Sequence, residues 1–309
     1  MWKFKSQGKT HIVYDSFPVT TKNNTKNILR IPKHKKKESQ EYVRDYHEAV
    51  TTLLLGEKYY SPLEVTALDH LVIDGQTMNG WGLLQLDYTT STTSTQVLTV
   101  EIKPKYAISN GSTCDFCRHA YLKHLRGEKE FINTFCPFDL YSLDPARMAK
   151  SLSALNQNSR LKIFYNGVLD NNGIFSMYPN IQEYFKDIVK ILLEESILCK
   201  LNEAHVHARH MPLKKLIVKD DHLLQLLKEF NVLDYNANKF LISKSLMDVS
   251  IMIKIENTFS KGSEKIGDYW YTIGVIDVQP KDINKLNKYL ETEQDILLVE
   301  GIRDCHIIT

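Results

Sequence analysis

Several things are missing from this chain of 309 residues, and each absence narrows what it can be. It has no run of 18 apolar residues, so no membrane-spanning helix is expected. The amino-terminal stretch MWKFKSQGKTHIVY has no continuous apolar core of the kind that directs secretion, so a nuclear or cytoplasmic location is expected. Five cysteines are too few, and odd in number, for a disulfide framework, which fits a reducing compartment. Charge of one sign is lacking too: 39 basic residues face 37 acidic ones, for a net +2. That balance excludes a general nucleic-acid coat. The basic run PKHKKK at 32–37 reads as a solvated loop. There is no internal repeat, no Walker A sequence and no HRD or DFG motif, so an ordinary protein kinase or P-loop enzyme is not expected. What remains is a chain that is 43% hydrophobic and long enough to bury one large core or two modest ones.

The informative segments are strands that end in charge. In VLTVEIKPKY, Val97 to Ile102 has the β-branched, aliphatic composition of a buried strand. Alternation sends Leu98, Val100 and Ile102 to a core and Glu101 with Lys103 to the other face. Pro104 cannot donate to a ladder, so the strand stops there and leaves Lys105 at its lip. The bland alternative is a solvated edge strand carrying a salt bridge. In SLMDVSIMIKI the same alternation sets Asp248 and Ser250 opposite Met247, Val249, Ile251, Ile253 and Ile255. In YTIGVIDVQPKDINKLNKYL a strand ends at Asp277, and Pro280 stands where a helix can open. On that helix Ile283, Leu286 and Leu290 form the packing stripe, opposite Lys281, Lys285, Lys288 and Tyr289.

Elsewhere, THIVYDSF and NILRIPK read as strands around the polar turn TTKNNTKN. ESQEYVRDYHEAVTTLL has Tyr42, Tyr46, Ala49 and Leu53 at helical spacing. GWGLLQLDY is a further strand, followed by the hinge-like tract TTSTTSTQ. Asp144-Pro145 caps a helix that buries Met148, Leu152 and Leu155. LKIFYNG is a strand, 180–201 one long helix, and DDHLLQLLKEFNVLD another. HVHARH at 205–210 reads as a loop cluster of histidines.

Two aspartates and a set of lysines at strand ends suit metal-assisted phosphoryl transfer to a hydroxyl. One carboxylate takes the proton, another holds Mg²⁺ on the nucleotide, and lysines neutralise phosphate oxygens. The turn SQGKTHIVY could cover a nucleotide, although it has a single glycine.

In this order, VEIKPK, CDFCRHAYLK, DLYSLDPARMAKSLSAL with LKIFYNG, MDVSIMI and VIDVQPKDINKLNKY resemble the inositol-pentakisphosphate 2-kinases. GEKYYSPLEV is similar to their amino-terminal lobe, and the chain is similar to a short, fungal-type member. The resemblance implies an α+β, two-lobed fold distantly related to protein kinases, with a small β-rich amino lobe at 1–90 and a larger mixed α/β carboxy lobe at 91–309. It implies transfer of the ATP γ-phosphate to the 2-hydroxyl of inositol 1,3,4,5,6-pentakisphosphate, giving inositol hexakisphosphate (phytate). By position, Asp248 would be the base, Asp277 the Mg²⁺ ligand, and Lys103 the contact to the transferred phosphate. Lys105, Lys123, Arg160, Lys162, Lys281, Lys285 and Tyr289 would hold inositol phosphates. At one of these last-helix positions the family has arginine, so the charge is kept and the guanidinium fork lost. Gly8, Lys9, Thr10, His11, Arg30, Gln85, Asp87 and Glu101 would lie on the ATP side, with Gln85–Tyr88 as the hinge at the adenine. Paired asparagines of the family are replaced by Ser159-Arg160. The zinc-ligand pattern of plant members is not found in the carboxy-terminal part. The partners implied are ATP and inositol pentakisphosphate, with no membrane and no required nucleic acid, and a monomer is expected.

Three rival readings stand beside this one. Cys114, Cys117, His119 and His124 have zinc-like spacing at their start but lie crowded within eleven residues, without a second pair at a distance. The expectation is therefore no structural zinc. Glu101-Ile-Lys103 also fits a Mg²⁺-dependent nuclease core, which would need an upstream acid such as Asp69. A non-catalytic inositol-phosphate or RNA-binding protein would use the lysines and have no role for Asp248 and Asp277.

Overall fold

The computed structural model describes residues 2–7, 11–16, 27–32, 37–69, 71–73, 75–107, 113–128, 130, 135–158, 160–170, 172–210, 235–260, 262–282, 285–299 and 305. Strands β1 (Trp2–Gln7), β2 (His11–Ser16) and β3 (Asn27–Pro32) are followed by helix α1 (Lys37–Leu54). Then come β4 (Leu63–Ala67), the short pair β5 (Val72–Ile73) and β6 (Gln76–Thr77), and β7 (Trp81–Leu86). A first antiparallel sheet has the order β1-β2-β3-β7-β4. Its own small core is Tyr14, Leu29, Ile31, Leu68 and Ile73. The polar turn between β2 and β3 lies outside the described residues.

The second sheet contains β8 (Val97–Ile102), β9 (Leu161–Tyr165), β10 (Val168–Leu169), β11 (Ser250–Glu256), β12 (Glu264–Ile266) and β13 (Tyr269–Ile276). Its order is β10-β9-β8-β11-β13-β12, antiparallel throughout. β8 is therefore an interior strand, and the edge-strand alternative fails. Leu98, Val100 and Ile102 are fully buried in the large core, as alternation requires. The opposite face is covered as well. Thr99 donates its hydroxyl to Tyr88 O at 2.7 Å, and a Cβ on Gly274 would collide with the Tyr88 ring. This close approach explains a glycine inside a strand.

Helices α2 (Asp115–Leu125), α3 (Pro137–Leu140), α4 (Pro145–Gln157), α5 (Ile181–Glu195), α6 (Ile197–His210), α7 (Tyr235–Leu246) and α8 (Leu286–Leu297) complete the α+β architecture. Asp144 caps α4 by accepting from Arg147 N at 2.9 Å, an interaction typically worth about 1 kcal/mol. Met148, Leu152 and Leu155 are fully buried beneath it. Each such side chain contributes roughly 1.5–3 kcal/mol by leaving water. Among the described residues, no helix is long and apolar enough to cross a membrane.

Four local expectations are corrected. The helix expected over 180–201 breaks at Ser196, which adopts φ 54°, so α5 and α6 are separate. On α1, Tyr42, Tyr46 and Ala49 pack on the core as expected, whereas Leu53 is exposed and Val50 is buried in its stead. The HVHARH segment is helical within α6, and His205 is buried against Ser243 at 3.0 Å. α8 opens at Leu286, not at Pro280, because the chain over 279–282 is held elsewhere. Ser245 donates to Gln279 O at 2.5 Å, and Lys281 is drawn to Asp248. The helix expected in DDHLLQLLKEFNVLD lies outside the described residues.

Candidate active site at the strand ends

Sheet register brings the charged residues together. On β8, Glu101 faces Lys162 of β9 and Met252 of β11. Ser250 faces Ile276, so Asp277 follows on the next residue of the β13 exit. Antiparallel pairing sets the ends of β8 and β13 beside the starts of β9 and β11. Lys103 N extends this edge by bonding Arg160 O at 3.0 Å.

A polar network occupies that edge. Ser250 Oγ donates to Glu101 Oε1 at 2.9 Å and receives from Lys103 Nζ at 3.0 Å. Lys103 Nζ lies 3.6 Å from Glu101 and 3.7 Å from Asp277, and Lys162 Nζ lies 3.3 Å from Glu101 Oε2. From the first sheet, Arg30 Nη2 reaches Asp277 Oδ1 at 2.6 Å and Nη1 reaches Gln85 Oε1 at 2.9 Å. A small, solvent-open depression lies beside Arg30, Gln85 and Asp277, with His47 and Gln279 also in its wall.

Beside it, Asp248 accepts from Lys281 at 2.7 Å and from Lys105 at 3.3 Å. Asp248 is 58% exposed and belongs to the turn before β11, so its expected place on the strand is corrected. Lys105 and Asp277 both have left-handed backbones, φ 61° and 64°. Such conformations cost non-glycine residues of order 1–2 kcal/mol and persist where the surroundings over-determine them. Tyr141 supplies part of that hold by donating its hydroxyl to Lys105 O at 2.9 Å.

The electrostatics follow from these contacts. Burial alone would raise the Asp277 carboxyl, but Arg30 and Lys103 pull it down to about 2. Asp248 keeps access to water, but the part of its carboxyl turned toward protein is partly desolvated, and Lys281 and Lys105 outweigh that cost and hold the carboxyl below its ordinary value. Lys105 itself is lowered by burial, partly offset by Asp248, with Lys103 and Arg160 adding repulsion. His11 is pushed down to about 4 by burial and then by Arg30, so it is neutral near pH 7.

The remaining expected site residues are distributed as follows. Asp87 is buried, its carboxylate taken by Lys5 at 3.0 Å, by Thr89 and by Thr90, so its side chain braces the chain after β7. Gln85 supports Arg30 and donates to Ser61 at 3.3 Å. Arg160 is half-buried, with its guanidinium 5.0 Å from the centre of the Phe116 ring. Lys123 lies in the last turn of α2, where its charge bears on His119. Lys281 precedes α8 instead of riding on it, and Lys285 is the exposed cap of that helix, 3.7 Å from Asp282. Tyr289 is half-buried on α8. Gly8, Lys9 and Thr10 lie outside the described residues, as does Ser159. Asp69 sits after β4, accepting from Gly80 N at 3.3 Å, so the acid required by the nuclease reading is not beside Glu101.

Sequence reasoning missed four residues. Ser250 was legible through its alternation with Asp248. Lys5 carried no local signal for its pairing with Asp87. Cys136 and Cys305 supply the second cysteine pair that CDFC lacked, which overturns the premise for expecting no zinc; His119 and His124 are not in the cluster.

The sequence model of one protein family, described as inositol-pentakisphosphate 2-kinase, matches residues 4–295.

Proposed function

This chain belongs to the inositol-pentakisphosphate 2-kinase family and is a transferase, and we propose that it carries out ATP-dependent phosphorylation of the 2-hydroxyl of inositol 1,3,4,5,6-pentakisphosphate at the strand-end cluster. The observation that carries this reading is the mixture of charge on one edge. Among the described residues, Arg30, Lys103, Lys105, Arg160, Lys162 and Lys281 gather around three carboxylates, Glu101, Asp248 and Asp277. The cationic excess suits polyanionic substrates, and the carboxylates suit proton transfer and a metal.

Asp277, Glu101 and the Ser250 hydroxyl offer oxygen donors within one network, the donor chemistry that Mg²⁺ prefers. Bound there, Mg²⁺ would neutralise charge developing on the transferred phosphate. Asp277 would hold it, with Arg30 and Lys103 reaching nucleotide phosphates. His11, neutral and beside Gln279 at 3.5 Å, would line the nucleotide side without adding charge.

Asp248 would accept the proton of the substrate hydroxyl. Lys105 and Lys281 occupy both of its oxygens, which weakens it as a base. Substrate phosphates would compete for those two ammonium groups and draw them away. The carboxylate would then regain basicity as the hydroxyl arrives. In this reading the first sheet is the upper part of a kinase-like, two-lobed enzyme of fungal type, with the division near residue 90.

The test is incubation with ATP, Mg²⁺ and inositol pentakisphosphate, with the product read by anion-exchange chromatography. Appearance of a hexakisphosphate that is lost in Asp248→Asn is the expected result. ATP turnover without that product would overturn the substrate assignment.

A further inference from the structure

Three polar side chains lie buried in a row between α1 and the first sheet: His47 of α1, Ser61 before β4, and Gln85 of β7. Leu63 and Leu83 line the same space, so apolar side chains would fill it without the cost of hiding an amide and a hydroxyl. The row ends at Arg30. Ile28 of β3 pairs with Gln85 and Arg30 pairs with Leu83, which sets Gln85 diagonal to Arg30 on one face of the sheet.

Each contact fixes the next. Tyr60 bridges to Val275 of β13, and His47 Nε2 donates to Ser61 O at 3.0 Å, so this short segment is pinned by the second sheet and by α1. Ser61 Oγ receives from Gln85 Nε2 at 3.3 Å, and Tyr88, lying over Gly274 of β13, is hydrogen-bonded to the same Ser61 side chain. With its nitrogen so engaged, Gln85 turns Oε1 to Arg30 Nη1 at 2.9 Å. A guanidinium only donates, so it can use no other end of the amide. Arg30 Nε is buried without a partner among the described residues, which leaves the two Nη groups to set the aim of the side chain. Nη2 holds Asp277 at 2.6 Å, two residues beyond Val275, and the circuit closes.

We propose that Gln85, backed by Ser61, is a positioning residue that keeps Arg30 Nη1 as a pivot while Nη2 exchanges between Asp277 and a nucleotide phosphate. This rests on the nucleotide site proposed above. The two ends of the guanidinium differ in the way such an exchange needs. Its Gln85 partner is neutral and sealed from water, whereas Asp277 stands where the depression opens to solvent. A phosphate arriving there takes over Nη2, keeps the cation paired and leaves an Asp277 oxygen free for a metal. Without the pivot, the phosphate would have to order a loose arginine at the moment of binding, and affinity would fall.

The full chain is titrated calorimetrically with ATP in Mg²⁺ and, separately, with inositol pentakisphosphate. Gln85→Met keeps the volume, removes both hydrogen bonds, and should weaken ATP binding about tenfold while inositol pentakisphosphate binding stays as it was. Ser61→Ala should weaken ATP binding about threefold in the unaltered background and not at all in Gln85→Met, because it acts through that amide. Should Gln85→Met fail to fold, a selective loss of ATP affinity in Ser61→Ala decides in favour, and an unchanged affinity decides against. ATP binding that neither variant weakens overturns the proposal and leaves the nucleotide site standing. Equal losses for both ligands, or additive losses in the double variant, overturn it as well and mark a merely structural role. An unaltered protein that binds no ATP overturns both readings.

Discussion

Arg30 of β3 and Asp277 at the exit of β13 form a 2.6 Å ion pair across 247 positions of sequence, and it ties the first sheet to the charged edge of the second. Asp277 is held at about 2 in the folded protein, against an ordinary 3.8. A depressed carboxyl contributes stability fully above its unfolded value and loses it as pH falls toward the folded one. The contribution here is about 2 kcal/mol, present above about pH 4 and lost between about pH 4 and 2. Arg30→Met should therefore unfold at a higher pH in acid titrations followed by circular dichroism. An unchanged midpoint would mean that the pair does not hold the sheets.

His47 of α1 is almost fully buried, with Nε2 3.0 Å from Ser61 O, and burial lowers it to about 4. The unfolded chain takes up a proton near pH 6.5 that the folded one refuses, so stability present above that pH declines as pH falls toward 4. Unfolding free energy should be about 2 kcal/mol lower at pH 5 than at pH 7 from this group. His47→Gln keeps a donor for Ser61 and should flatten the pH dependence in denaturant titrations; a profile as steep as that of the unaltered protein would assign it to other groups.

Asp248→Asn keeps the shape of an exposed side chain and removes the proposed proton acceptor. Turnover should fall about 10²–10⁴-fold, with circular dichroism and the ATP dissociation constant nearly unchanged. If Asp277 holds Mg²⁺ as proposed, Asp277→Asn should lower both turnover and Mg²⁺-dependent ATP affinity, because a metal ligand acts on each. Near-normal turnover in Asp248→Asn would place the base elsewhere.

Lys105→Ala and Lys281→Ala each remove a cation beside Asp248. Each should weaken inositol pentakisphosphate binding by about 1.5–3 kcal/mol, the range for hydrogen bonds to charged groups, while ATP binding changes little. Calorimetric titration with both ligands checks this. Equal losses for the two would move these lysines off the substrate side.

Ser196 holds a left-handed backbone at an exposed break between α5 and α6. Ser196→Gly relieves the Cβ clash and should raise unfolding free energy by about 0.5–1 kcal/mol after the larger unfolded-state entropy of glycine is counted. A loss of stability would show that the break is fixed by something other than backbone strain.

Sequence by itself determined the local elements and the chemistry at their ends. Alternation located β8, with Leu98, Val100 and Ile102 in the core and Glu101 and Lys103 at its exit. The Asp144-Pro145 pair located the start of α4. These signals are legible because a cap or a two-residue period involves neighbours within one turn or pleat. Only the tertiary structure decided that β8 is interior, that Asp248 stands in a turn between two lysines, and that α8 waits until Leu286. It also joined Arg30 to Asp277 and brought Cys136 and Cys305 to the CDFC turn. Each of these depends on register or on partners far apart in the chain, and no local pattern encodes which distant strand edge a side chain will meet.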